Sequence, residues 1–212
     1  MRYKLQIMAS AACLALAACG GSSSTPSSTA SGAASASASG STSASSSGSS
    51  LSAADAQTVV ASYDDNQARI DSGALTTTSP TGQADMSGYV GVTDNAGTMA
   101  VGDLNMSVDF DGGKVTGTAS NFGLYDDTDA MTKQGDASGS LGVTGTVSGS
   151  SMTAKASGTL SDGSTPADVS LGMNGKFYDD NGTLLVQGTA SGTVTNSDGT
   201  SALDGGFFAT KN

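Results

Sequence analysis

Residues 104–119 read LNMSVDFDGGKVTGTA, and this stretch decides the fold. Apolar and polar residues alternate on both sides of an Asp-Gly-Gly sequence at 111–113. Alternation with a period of two is typical of β-strands that bury one face. An Asp-Gly-Gly sequence between two such runs favours a tight turn. The stretch therefore predicts a β-hairpin with one apolar face.

The same pattern recurs up to the C-terminus. The alternating runs lie at 89–92, 104–110, 115–119, 141–147, 152–160, 169–177, 184–194 and 203–209. Eight runs joined by short turns predict an all-β fold, a single eight-stranded antiparallel up-and-down β-barrel. We prefer a barrel to a sandwich because closure removes the edges of a sheet that has few charged residues to protect them. Gly and Ala alternate with larger apolar residues, which predicts tight coiling around a filled interior.

The outward positions of these runs carry Asn, Ser, Asp, Lys and Thr. A barrel that crosses a membrane needs an apolar outer band flanked by aromatic girdles. We therefore expect a soluble barrel rather than a transmembrane one.

The N-terminus has the features of an export signal. A basic start, Arg2 and Lys4, precedes an uncharged apolar segment at 5–16. The segment ends in Leu-Ala-Ala-Cys-Gly at 16–20, which resembles the bacterial lipobox. The resemblance implies cleavage before Cys19, a diacylglycerol on its thiol and an acyl chain on its amine. The alternative is an ordinary secretory signal that ends near Cys19 by chance.

Composition changes divide the chain into four segments, with a lipoprotein signal peptide at 1–18. Residues 19–50 comprise Cys19 and a Gly/Ser/Ala/Thr tether, which we expect to be disordered, with an r.m.s. span of about 30 Å. Residues 51–85 contain a capping-box pattern beginning at Ser52, and we expect a short helix that Gly73 ends. The barrel is assigned to 86–212.

The charge and residue content exclude several functions. The chain has no His, 8 basic and 19 acidic residues, and a net charge of −11. A Ser–His or Cys–His nucleophile pair is therefore excluded, and so is a basic surface for nucleic acid. We expect no enzyme, no catalytic residue, no metal site and no cofactor apart from the covalent lipid on Cys19.

Several short motifs resemble the β-barrel domain of transferrin-binding protein B, a barrel class that also includes factor H-binding protein. They are GDLNMSVDF at 102–110, GKVTGTASNF at 113–122, MNGKFY at 173–178, VQG at 186–188 and GGFFA at 205–209. The resemblance implies a lipid-anchored barrel of the outer envelope with a binding function. Transferrin binding itself does not follow, because those proteins have two lobes and this chain has room for one barrel.

The longest segment between predicted strands, 121–136, is the candidate binding loop. We assign candidate binding roles to Phe122, Tyr125, Asp126, Asp127 and Asp129. The three Asp residues come closest to a Ca²⁺ site but match no calcium loop, and turn formation explains them better. Without His, only Tyr or Met could ligate a haem; Tyr125 is the most exposed candidate, but no exposed aromatic pair to enclose a porphyrin is evident. The alternative is that Phe122 and Tyr125 anchor the loop to the barrel rim.

Together these features predict an outer-membrane-anchored, monomeric, non-enzymatic binding module. Its partner is an extracellular or periplasmic protein or small ligand, with iron or haem among the options. Whether the barrel faces the cell surface or the periplasm stays open. The alternative is a passive structural envelope lipoprotein without a dedicated ligand.

Overall fold

The computed structural model describes residues 49–212. Predictions about the signal peptide, the lipidation of Cys19 and the tether up to residue 48 lie outside the described residues. The elements are α1 Ala53–Asp71, β1 Thr76–Thr77, β2 Gln83–Asp94, β3 Thr98–Asp109, β4 Lys114–Asp126, β5 Lys133–Ser148, β6 Ser151–Ser161, β7 Pro166–Asp180, β8 Thr183–Asn196 and β9 Gly199–Lys211. The barrel begins at Gln83, three residues before the predicted boundary.

Strands β2 to β9 form a closed antiparallel barrel. Each strand pairs with its neighbour in sequence, and β9 also pairs with β2, so the ring of eight strands has no free end. The short β1 pairs with the end of β7 at Tyr178 and Asp179, beyond the point where β6 begins. The predicted eight-stranded up-and-down barrel is confirmed.

The alternating apolar residues fill the interior of the barrel. Phe177 and Phe207 are almost fully buried there, and the ring of Phe177 meets that of Phe110 edge-on, with ring centroids 5.1 Å apart. Such a pair adds to the stability that apolar burial gives. These side chains fill the interior, as the sequence predicts.

Inward glycines allow neighbouring strands to approach closely. A Cβ built on Gly192 would lie 2.9 Å from Leu171 Cα and still closer to the Ser170 carbonyl oxygen. A Cβ on the outward Gly172 would lie 3.7 Å from the nearest atom, the Ser191 carbonyl oxygen, which is an ordinary contact. The tight coiling predicted from small inward residues therefore has a steric basis.

Helix α1 precedes the barrel, as predicted. The Ser52 hydroxyl caps it, accepting a hydrogen bond from the Asp55 amide at 3.2 Å and donating to the Asp55 carboxylate at 2.7 Å. Gly73 follows the helix with φ +75°, a conformation that favours glycine. Within residues 49–212, no helix combines the length and the apolar character needed to cross a membrane.

The long loop predicted at 121–136 is wrong in its bounds. Strand β4 continues to Asp126 and β5 begins at Lys133, which leaves a six-residue β4–β5 loop, 127–132. A β-bulge explains the error, because Asn121 has φ +56° and the pairing of β4 shifts on both sides of it. A bulge interrupts the two-residue alternation from which a strand is predicted.

Candidate functional site

Helix α1 lies against the outer surface of the barrel. Its first half packs on Val101 of β3, Tyr125 of β4 and Met131 of the β4–β5 loop, with Ala56 fully buried between them. Its second half reaches β8 and the end of β7. One end of α1 therefore contacts the candidate binding loop.

Phe122 and Tyr125 are both buried, on opposite sides of the barrel wall. Phe122 is 1% exposed and belongs to the barrel interior. Tyr125 is 0% exposed beneath α1, where its hydroxyl donates a hydrogen bond to the Leu51 carbonyl oxygen at 2.7 Å. The expectation that Tyr125 is exposed is wrong, because α1 covers it. The alternative of an anchoring role fits both residues.

Burial also changes the acidity of Tyr125. It raises the pKa of the phenol to about 12, and the nearby carboxylates of Asp136 and Asp55 act in the same direction. The hydroxyl therefore stays protonated at physiological pH and remains a hydrogen-bond donor.

Asp126 holds the two ends of the β4–β5 loop together. Its carboxylate accepts hydrogen bonds from the Thr132 amide and the Thr128 hydroxyl, and its own amide donates to the Thr132 carbonyl oxygen at 3.0 Å. The Asp127 amide donates to the Gly97 carbonyl oxygen at 2.8 Å, which ties the loop to the β2–β3 turn. Asp126 thus has a structural role in the loop.

Helix α1 fixes the middle of the same loop. The Gln57 side-chain amide donates to the Ala130 carbonyl oxygen at 2.6 Å and to the Asp129 carbonyl oxygen at 3.5 Å. Next to them, Met131 has φ +46° and is 5% exposed under the helix. A bulky residue with positive φ persists only where its surroundings hold it.

Asp127 and Asp129 are the loop residues that remain available to a partner. Both are exposed, and neither carboxylate accepts a hydrogen bond from another described residue. No group of three His, Cys, Asp or Glu side chains able to hold a metal ion occurs within 49–212. The arrangement presents two carboxylates from a fixed backbone, which suits a partner with cationic or hydrogen-bond-donating groups.

The chain enters the domain beside this loop. The Lys133 ammonium pairs with the Asp136 carboxylate at 2.7 Å and donates to the Ser50 hydroxyl at 2.8 Å, and that hydroxyl donates to Asp136. The hydrogen bonds from Lys133 and Ser50 hold the pKa of Asp136 below its usual range. Sequence reasoning missed this contact because nothing in the sequence relates Ser50 to β5.

A second polar contact secures the end of α1. The Arg69 guanidinium binds both carboxylate oxygens of Asp180, at 2.9 Å for the Nη1–Oδ2 bond, and this lowers the pKa of Asp180. Between the two ends, Gln187 is 3% exposed and its amide nitrogen donates to the Tyr63 carbonyl oxygen at 3.1 Å. Nothing in the sequence relates Arg69 to Asp180, which lie 111 positions apart.

Two shallow depressions lie on the outside of the barrel. One, of about 430 Å³, is lined by α1 residues that include Asp65 and Arg69. The other, of about 200 Å³, lies beside the β7–β8 turn, with Asp179 and Lys211 in its lining. Neither involves the β4–β5 loop.

No protein-family model matches the chain, and no curated protein matches its sequence.

Proposed function

We propose that the chain is a lipid-anchored, non-enzymatic binding module of the outer membrane, with Cys19 as the acylated residue. The confirmed eight-stranded barrel and the lipobox-like sequence at 16–20 support this proposal. We further propose that the barrel is of the transferrin-binding protein B class. The motifs at 102–110 and 113–122 support that class, and they form the β3–β4 hairpin.

The observation that carries the binding role is the fixed presentation of Asp127 and Asp129. The loop backbone is held by hydrogen bonds to Gln57, Asp126 and the Gly97 carbonyl oxygen. Binding a partner therefore costs little conformational entropy in this loop. Two exposed carboxylates without protein partners favour a protein surface that contributes Lys, Arg or amide groups. Phe122 and Tyr125 support the loop from below and are not proposed as contacts.

Site-specific photocrosslinking tests the binding role. A photoreactive residue replaces Asp127 in one variant and Asp198, in the exposed β8–β9 turn, in the matched control. Both variants are expressed in the bacterium that makes the protein, and adducts are identified by mass spectrometry. We expect a discrete adduct from position 127 that is missing from position 198. Equal, diffuse labelling from both positions would contradict the proposed binding role of the loop.

The anchor is tested separately by mass spectrometry of the N-terminal peptide. A peptide that begins at Cys19 and carries a diacylglycerol and an acyl chain is expected. An unmodified N-terminus, or cleavage elsewhere, would contradict the lipoprotein assignment whatever the crosslinking shows. Protease treatment of intact cells then decides whether the barrel faces the medium or the periplasm.

The second candidate is a passive envelope lipoprotein. The burial of Phe122 and Tyr125 favours it, because this leaves no aromatic side chain of the predicted site on the surface, where aromatic residues often dominate binding energy. Under this alternative the domain provides surface charge and coverage. Deletion would then leave growth unchanged under iron limitation, and the crosslinking variants would yield no specific adduct.

A further inference from the structure

The chain that leads into α1 runs beside the β4–β5 loop. The Tyr125 hydroxyl, near the end of β4, donates to the Leu51 carbonyl oxygen, and the Lys133 ammonium, at the start of β5, donates to the Ser50 hydroxyl. We call residues 50–60 the strap; they include these two contacts and the beginning of α1. The strap therefore contacts both strands from which the loop emerges.

The strap also holds the middle of the loop. The Gln57 side-chain amide donates to the Ala130 carbonyl oxygen at 2.6 Å, and Met131 belongs to the apolar cluster around the fully buried Ala56. With a φ of +46°, Met131 has a backbone conformation that a bulky residue keeps only where its surroundings impose it. The conformation of the loop therefore depends on a docked strap.

The barrel does not need the strap to stay closed. Its strands form a complete ring, and its interior cluster contains no residue of α1. The other end of α1 has attachments of its own, since the Arg69 guanidinium binds both carboxylate oxygens of Asp180 and the short β1 then pairs with β7. The strap can therefore lift while the strands and the far end of α1 stay in place, because no strand pairing is broken.

The order of contacts along the chain decides which of them bear a load first. Tension on the chain that precedes the strap reaches the hydrogen bonds of Ser50 and Leu51 first. The contact between Gln57 and the loop comes next, and the ion pair of Arg69 comes last. The early contacts are separate hydrogen bonds and one small apolar cluster, which can break one after another, whereas the barrel opens only when a whole ladder of hydrogen bonds is lost.

A buried acceptor without a partner lies under α1 just beyond the strap. Gln187 is 3% exposed, and its amide nitrogen donates to the Tyr63 carbonyl oxygen at 3.1 Å. Its side-chain oxygen accepts no hydrogen bond from a described residue. A buried polar atom in this state costs free energy, and water would satisfy it once the helix lifts. The Gln187 oxygen therefore favours partial undocking of α1 over a rigid attachment.

We propose that tension in the chain before α1 lifts the strap and thereby frees the β4–β5 loop, so that the loop releases its partner under load. This inference rests on the proposed function, which supplies a lipid anchor at one end and a partner on the loop at the other. A partner drawn away from the membrane pulls on the strap through the barrel. A bound partner in turn stabilises the docked strap, because coupling between two equilibria is reciprocal.

Thiol labelling under force tests the strap. The chain from residue 19 onward carries Cys19→Ser, which removes its one native thiol, together with Met131→Cys. It is stretched between terminal tags in magnetic tweezers in the presence of a fluorescent maleimide. Met131 is 5% exposed beneath the strap, and the matched control Met106→Cys places the thiol in the barrel interior, where Met106 is 4% exposed. The first thiol reports lifting of the strap, and the second reports opening of the barrel.

We expect the Met131→Cys thiol to react at least several-fold faster under force, at forces that leave the Met106→Cys thiol unlabelled. Adding Ala56→Asp, which puts a charge at a fully buried position, should give fast labelling without force, whereas Ala61→Asp on the exposed side of α1 should not. Labelling of both thiols at the same force, no effect of force on Met131→Cys, or slow labelling with Ala56→Asp would overturn the strap. The assay uses neither lipid nor partner, so its failure is distinct from failure of the anchor or of the binding loop.

Discussion

The inward glycines give a quantitative test of how the barrel closes. In Gly192→Ala, the new Cβ would start 2.9 Å from Leu171 Cα, against an ordinary contact of at least 3.4 Å, and closer still to the Ser170 carbonyl oxygen, so the strands must separate there by clearly more than about 0.5 Å. The blocking atoms are backbone and cannot rotate away. Overpacking costs about 1–3 kcal/mol. Ala offsets about 0.5–1 kcal/mol of this cost, because it loses less backbone entropy than Gly when the chain folds. Because the Ser170 carbonyl oxygen is the nearest atom, we take the overpacking cost at the upper end of its range and expect a net destabilisation of about 2 kcal/mol.

The matched control is Gly172→Ala on the neighbouring strand β7. Its Cβ would point outward and lie 3.7 Å from the nearest atom, so it causes no overpacking. Only the lower entropy of the unfolded chain remains as an effect, and we expect stabilisation of about 0.5 kcal/mol. Thermal unfolding of both variants, followed by circular dichroism, is the assay. For a domain of this size the midpoint should fall by about 4 to 8 °C in Gly192→Ala and rise by about 1 to 2 °C in Gly172→Ala. Midpoints that move together, or a larger loss in Gly172→Ala, would refute the steric explanation of the coiling.

Three further perturbations address α1 and its contacts. Tyr125→Phe should lower the free energy of unfolding by about 1 kcal/mol, because the hydrogen bond to Leu51 is lost. The Tyr178 hydroxyl has no hydrogen bond to a described residue, so Tyr178→Phe should change the free energy of unfolding by less than about 0.5 kcal/mol. Urea unfolding of both variants measures the difference. Because Arg69 lowers the pKa of Asp180 in the folded state, the stability from this pair is complete above the unfolded-state value near 3.9 and is lost as the pH falls through the folded value. The difference in unfolding free energy between the wild type and Asp180→Asn should therefore be constant near neutral pH and shrink below about pH 4, and a difference that does not change with pH would contradict the pairing. Gln57→Ala should speed amide hydrogen exchange in the β4–β5 loop at least several-fold while leaving β6 and β7 unchanged, since only the loop loses a hydrogen bond.

The barrel could be predicted from the sequence because the alternation that specifies each strand is a local pattern. Alternation over 141–147 or 152–160 is visible in any short window, and each strand pairs with the next. The contacts of the candidate site are not local. Tyr125 meets Leu51 across 74 positions, and the bulge at Asn121 changes which face the following residues occupy. A pattern of period two contains neither fact, so the sequence places Tyr125 in an exposed loop, whereas the structure places it in β4 beneath a helix.

Helix α1 is not needed to close the barrel, and this determines how the binding loop has to be studied. Each of the eight strands pairs with two other strands of the ring, and the interior cluster contains no residue of α1. The apolar residues that break the outward polar pattern, such as Val101 and Tyr125, are covered by α1 together with Leu51 and Met131. A fragment that starts at residue 86 would expose them and would release the β4–β5 loop from Gln57. Loss of binding in that fragment would therefore report the missing helix, and only the chain that includes Ser50 and α1 tests whether Asp127 and Asp129 contact a partner.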